Sequence, residues 1–353
     1  MSDIYERLAD HLDKLPGGYP RTESGVELRI LKRLFSPEDA ELALQLGMIP
    51  ETPSQIAERL GRDREELARN LEDMSRRGLI FRSSKGEEPS YMASQFVVGI
   101  WEYQVNNLNQ ELIRDFNEYV PYLMRASLME ADTKQLRVVP VSESLEPETS
   151  IMPYDQAEEI VGSQSKIVLA PCICRKEHSM AGDACHRSQE TCLVFGGGAF
   201  FYEENNLGRP VSVEEALQVL RKSREEGLVL QPGNARRPVN MCLCCGCCCQ
   251  VLKNLRGLER PAQAVHSNFQ AEVDAQSCTA CGACEEYCQT EAIAVSRETA
   301  EVDLNRCIGC GLCVGACEFG AARLRPVDPE KQYEPPKNVV ETYTRIAQER
   351  GLI

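Results

Sequence analysis

Apolar residues in the first part of the chain recur at helical spacing. Ile4, Leu8, Leu12 and Leu15 form the stripe of an opening helix, which offers a docking face to a partner or in a homodimer. From residue 52 the rhythm sharpens. Thr52 caps a helix with Pro53 at its first position, Gly61 stops it, and Asp63 opens a second helix whose Leu67, Leu71 and Met74 share one face. "GLIFR", a turn holding Gly86 and Pro89, and "SYMAS" predict a short hairpin. The helical pattern then resumes, with Phe96, Val97, Ile100 and Trp101 expected in the core and given no cofactor role.

The pattern changes in the middle of the chain. Lys166 to Ala170 reads as a short strand ending at Pro171, which leaves Cys172 and Cys174 on a strand-end loop. Ser212 and Glu215 form a capping box for a helix with Ala216, Leu217 and Leu220 on its apolar face and Gly227 as its stop. A second apolar run, Leu228 to Leu230, leads into a cysteine loop, so this part is a small α/β unit with cysteines at two loops. "FGGGAFF", residues 195–201, lacks the G-x-G-x-x-G spacing and reads as a turn, so no flavin or nicotinamide site is expected. The proline- and acid-rich stretch 140–154 reads as a linker.

Composition bounds the setting. The chain of 353 residues, 42% hydrophobic, is long enough for two or three cored domains. It has no run approaching the roughly 20 apolar residues of a membrane span, and its acidic, amphipathic start is unlike a secretory signal. A cytoplasmic location follows as the expectation. There the 18 cysteines stay reduced, which favours metal ligation over a disulfide knot. The net charge of −15 opposes adhesion to nucleic acid or anionic lipid and favours a basic patch on a protein partner.

All the cysteines lie between Cys172 and Cys317, and the last eight form a 29-residue repeat of C-x2-C-x2-C-x3-C: Cys278, Cys281, Cys284, Cys288, then Cys307, Cys310, Cys313, Cys317. Thiolates two residues apart reach two corners of one small cluster, and Gly282, Gly309 and Gly311 let the backbone curl with N–H groups facing the sulfurs. Over residues 269–327 the sequence resembles the bacterial ferredoxins with two [4Fe-4S] clusters. The resemblance implies one cluster on Cys278, Cys281, Cys284 and Cys317, and the other on Cys307, Cys310, Cys313 and Cys288. Zinc is the competing occupant for four thiolates. The family's proline after each fourth cysteine is Gln289 and Glu318 here. Nine acids against four arginines over residues 270–325 disfavour an added electron, so low potentials are expected.

Ten cysteines remain: Cys172, Cys174, Cys185, Cys192, Cys242, Cys244, Cys245, Cys247, Cys248 and Cys249. They exceed the needs of one [4Fe-4S] cluster and suffice for two. C-x-C and C-C pairs suit neighbouring irons or clusters, so one or two further iron–sulfur clusters are expected, with zinc or metal-free redox thiols as alternatives. Cys244-Cys245-Gly246 resembles the cysteine-rich domains of heterodisulfide reductase, and "PCICR" with "CCGCCC" resembles poorly characterised iron–sulfur proteins of anaerobes. His178 and His186 read as loop residues, not ligands.

Residues 25–95, helix, turn, helix and hairpin, resemble the winged-helix regulators. Arg64, Arg69, Arg76 and Arg77 on the helix that would read DNA face Asp63, Glu65, Glu66, Glu72 and Asp73, and in the wing Arg82 and Lys85 face Glu87 and Glu88. Docking to a protein, or to this chain's own cluster domain, is therefore favoured over DNA.

The fold expected is multidomain α+β: a helical winged-helix-like domain over 1–139, a cysteine-rich α/β domain over 155–268, the ferredoxin domain over 269–327 and a C-terminal tail or helix over 328–353. The function expected is an electron-transfer protein or oxidoreductase subunit relaying single low-potential electrons to or from a redox partner in anaerobic metabolism. Two alternatives stand beside it: a redox-responsive transcription regulator, and a reductase with a special cluster in the Cys242–Cys249 loop. No catalytic side chain is assigned.

Overall fold

In the computed structural model, which describes residues 3–84, 86–141 and 152–353, helices dominate the first half. Most of the expected linker and the wing's Lys85 lie outside the described residues. Helix α1 (Ile4–Asp13) begins at Asp3 with a full capping box to Glu6, and its stripe packs on α2 (Val26–Leu34) and α3 (Pro37–Ala43). The opening stripe thus docks on its own chain. Helices α4 (Pro53–Leu60) and α5 (Arg64–Arg76) start at Thr52 and Asp63, and strands β1 (Ile80–Ser83) and β2 (Ser90–Ala93) pair antiparallel. After the one-turn α6 (Trp101–Tyr103) comes α7 (Gln110–Met129), whose Phe116 ring stacks on Trp101 with centroids 3.5 Å apart.

The central part opens with α8 (Ala157–Gly162), β3 (Ile167–Pro171) and α9 (Ile173–Met180). Then follow β4 (Glu190–Phe195), α10 (Gly196–Glu204), β5 (Arg209–Val211), α11 (Val213–Glu225), β6 (Val229–Pro232), β7 (Asn240–Cys244) and α12 (Gln250–Arg256). The five strands form one sheet in the order β5-β3-β4-β7-β6, with every neighbour antiparallel. Two expectations need correction. "FGGGAFF" is the start of α10, not a turn, because burying Ala199, Phe201 and Tyr202 against the sheet and the hairpin outweighs the low helix propensity of three glycines. Cys174 lies in the first turn of α9 instead of a loop, since the strand passes into the helix through Cys172 alone.

The ferredoxin part pairs β8 (Phe269–Val273) with β11 (Ala322–Pro326) and β9 (Ile293–Val295) with β10 (Ala300–Val302), around the single turns α13 (Ala283–Glu286) and α14 (Leu312–Gly315). Gly309 has φ of 68°, and a Cβ there would stand 2.1 Å from the Phe269 carbonyl oxygen, so only glycine fits. A terminal helix, α15 (Val339–Glu349), returns to the N-terminal part, where Arg350 donates to the Asp13 and Leu15 carbonyls at 3.0 and 2.8 Å.

One hydrophobic cluster runs from Leu8 through the central sheet to Leu312, and a second, smaller one fills the ferredoxin part. The hairpin joins the helical part to the sheet. Phe81 stacks on Phe201 at 4.9 Å, and buried Arg82 pairs with both Glu72 and Glu204. Phe201→Ala should cost about 3–5 kcal/mol in urea unfolding, as truncation of a fully buried aromatic does, and should lower the midpoint reported by the helical and central parts together. Separate shifts would show that the two parts unfold independently.

Candidate metal centre

The eighteen cysteines are all unbridged, and the fold sorts them into four sets. In the ferredoxin part, Cys278, Cys281, Cys284 and Cys317 line one small cavity with Phe319, so the fourth cysteine of the second run joins the first three of the first. Cys288, Cys307, Cys310 and Cys313 lie near enough to one another for their charges to interact, and burial foremost raises the Cys307, Cys310 and Cys313 thiols. Backbone N–H groups face the sulfurs in matched pairs. Ala300 donates to Cys278 and Ala271 to Cys307, each at 3.4 Å, an exchange across the repeat. Ala292 donates to Cys288 at 3.1 Å and Ala322 to Cys317 at 3.4 Å. Such donors stabilise thiolate over thiol.

Seven of the upstream cysteines line a cavity of about 110 Å³; six of them, all but Cys245, form one run of thiols along it. Strand pairing explains three of them. Cys242 and Cys244 are two apart on β7 and so share a face, and Cys192 of β4 stands opposite Cys242. The others come from helix starts: Cys172 is the residue before α9, Cys174 lies in its first turn, and Cys249 precedes α12. Thiol contacts run in sequence through Cys172, Cys174, Cys249, Cys244, Cys242 and Cys192. The Cys242 and Cys249 thiols are pulled down, Cys242 foremost by Cys192 and Cys249 by Cys174. Backbone N–H groups of Val251 and Leu252 help at Cys249, as expected at a helix N-terminus.

The remaining four, Cys185, Cys245, Cys247 and Cys248, bring their sulfurs within 4.8 Å of one another. Arg187 donates toward Cys247 at 3.5 Å and Cys185 at 3.9 Å. Burial pushes the Cys185 thiol up, but the Arg187 backbone and guanidinium outweigh it, and Cys185 falls to about 7.

Arg175 stands between the last two sets. It is fully buried, donates to the Ser188 and Leu243 carbonyls at 2.9 Å and to the Thr191 hydroxyl, and has no partner for Nε. Burial works against its charge, while Cys172, Cys245 and Cys244 more than offset that, so the net shift is upward. Neither histidine of the cysteine block joins these groups: His178 contacts Asp183 and Lys253, and His186 is exposed.

Three contributors escaped the sequence reading. Arg175 carried a weak signal, a cation directly after a cysteine. Val97 and Glu102 carried none, because they reach the cavity from the helical part; Val97, expected only as core, lines it beside Val98. Glu102 accepts from the Gly99 N–H at 2.7 Å. Burial, with smaller contributions from Cys242 and Cys172, raises its carboxyl from the ordinary 4.5 to about 8.

A family model described as a 4Fe-4S dicluster domain matches residues 277–321, so the chain carries a ferredoxin-type iron–sulfur module at its C-terminal side. No curated protein and no solved structure matches the chain. Among the described residues no helix is long and apolar enough to cross a membrane.

Glu102 makes stability depend on pH. Its folded pKa lies above its unfolded one, so its contribution is complete below about 4.5 and is lost as pH rises through about 8. Between about pH 6 and 8 the unfolding free energy should fall by on the order of 1 kcal/mol per pH unit from this group, and Glu102→Gln should flatten that slope. Equal slopes in chemical denaturation of the two proteins would refute the assignment.

Proposed function

We propose that this chain is an iron–sulfur electron-transfer protein, or the electron-transfer subunit of an oxidoreductase, with one [4Fe-4S] cluster on Cys278, Cys281, Cys284 and Cys317, a second on Cys288, Cys307, Cys310 and Cys313, and further iron–sulfur chemistry in the six-thiol chamber. When bound, such clusters each take up and release one electron. The observation that carries the reading is the unequal placement of the two ferredoxin sets. Cys281 is exposed beside Phe319, which is 54% exposed, whereas Cys310 packs against the large core that also holds Cys244 and Cys249. Ile308 and Leu312 are buried in that core, and the Val141 N–H donates to the Cys310 carbonyl at 3.1 Å. One set therefore opens to the surface, and the other packs against the core of the rest of the chain.

The chain's own residues define the conditions. Glu285, Glu286 and Glu318 around the outward face favour a basic patch on a redox partner. N–H groups on the sulfurs hold the thiolates ready. Exposed low-potential clusters suit reducing, anaerobic conditions such as an anaerobe's cytoplasm. The winged-helix-like segment serves as an internal dock: its Arg82 is buried against Glu72 and Glu204, and Arg76 and Arg77 pair with Glu72, Asp73 and Asp39. That counts against the regulator reading. The reductase reading draws support from the cavity, around which Cys242, Cys244, Cys245 and Cys249 of the cysteine loop come together.

The test is iron and acid-labile sulfide per chain on anaerobically purified full-length protein, with Cys281→Ser and Cys310→Ser variants. We expect at least about eight iron, loss of about four in each variant, and reduction by a basic redox protein that slows as salt rises. A chain with no labile sulfide would sink the proposal. Salt-sensitive binding to duplex DNA that changes on oxidation would move the reading to a regulator.

A further inference from the structure

The ten upstream cysteines differ in spacing, and the difference carries chemistry. In the chamber, thiol contacts run in a line from Cys172 to Cys192 along a cavity that Cys245 also borders, and one ferredoxin set likewise lines a small cavity. Cys185, Cys245, Cys247 and Cys248 instead close on one point. Sγ of Cys185 lies 3.5 Å from that of Cys247, which lies 3.7 Å from that of Cys248, and all four are within 4.8 Å of each other. Among the described residues this is the one set of three or more ligating side chains drawn so close.

A single ion bound by four thiolates at about 2.3 Å sets its sulfurs at the corners of a tetrahedron whose edge is about 3.8 Å. A cluster interposes iron and sulfide between the thiolates and holds them further apart. The observed edges fit the single ion. The charge fits as well: a divalent ion with four thiolates carries two negative charges, and two guanidinium groups meet it. Arg187 approaches Cys247 and Cys185, and buried Arg175, whose hydrogen-bonded oxygens are all neutral, approaches Cys245.

We infer that Cys185, Cys245, Cys247 and Cys248 bind one tetrahedral divalent ion, zinc or iron, separate from the electron-transferring clusters. The ion ties the loop before β4 to the loop after β7 and fixes the turn at Gly246, whose N–H donates to Gln289 Oε1 at 2.6 Å. A closed four-thiolate shell leaves no position for substrate, so the centre holds the junction between chamber and ferredoxin instead of reacting.

The experiment measures zinc, iron and labile sulfide on the anaerobically purified full chain and on a Cys185→Ser/Cys247→Ser variant, with X-ray absorption at the zinc and iron edges of the unmodified protein. We expect about one zinc per chain in a shell of four sulfurs at about 2.3 Å, or about one iron in excess of sulfide, and loss of that one ion in the variant. Removal of about four iron together with about four sulfide would overturn the inference, as would an unchanged metal content. The absorption spectrum of the unmodified protein decides the matter if the variant fails to fold: zinc with mixed oxygen ligands, with no excess iron, refutes it. Absence of the ferredoxin iron would strike the electron-transfer proposal and leave this one standing.

Discussion

A guanidinium buried among neutral oxygens is tolerable only where anions face it, and Arg175 is in that position. The protein is acidic overall and still gathers ten cysteines in one region, four of them buried. Deprotonating several of them without a counter-charge would be prohibitive in a low-dielectric interior, and the thiols would keep their protons. Arg175 lies between the four-thiol set and the six-thiol run and lowers the cost of ionising both. Its three hydrogen bonds reach the loop before β4, β4 itself and β7, so the cation that permits the charge also holds the strands that deliver it.

The rest of the architecture supports that arrangement. An antiparallel sheet places cysteines two apart on one face, and two helix starts add thiols where backbone N–H groups are free. The helical part then closes the chamber with Val97, Val98, Glu102, Met124 and Leu128. This explains why its hairpin is fixed by Phe81 on Phe201 and by Arg82 on Glu204: a wall that drifted would open the thiols to water and oxidant. Arg76 and Arg82 of the helical part both reach Glu204 in that attachment.

Local rules were legible in the sequence. Thr52, Asp63 and Ser212 cap the helices expected of them, and the ferredoxin repeat announces its sulfurs by spacing. Partition of the ten upstream cysteines was not legible. Cys244 and Cys245 are adjacent in the chain yet belong to different sets, because the strand ends between them and the turn at Gly246 sends the chain the other way. Cys185 joins Cys247 from sixty-two residues away through a loop that carries no periodic signal. Glu102 and Val97 reach the cavity through tertiary packing alone, which no local pattern encodes.

The departures from the ferredoxin pattern separate in the same way. Proline after the fourth cysteine would supply rigidity and no side-chain acceptor. Gln289 supplies an acceptor, and the Gly246 N–H uses it; a Cβ at Gly246 would stand 2.8 Å from that same oxygen and 3.0 Å from the Gln289 carbonyl, so the glycine favours the close approach. At the matching place in the other run, Glu318 is exposed and adds charge to the outward face. One departure thus joins the ferredoxin part to the loop of the upstream thiols, and the other adds negative charge to an exposed surface. The repeat is symmetric in the spacing of its cysteines and asymmetric in what surrounds them: one set borders solvent and the other borders the core.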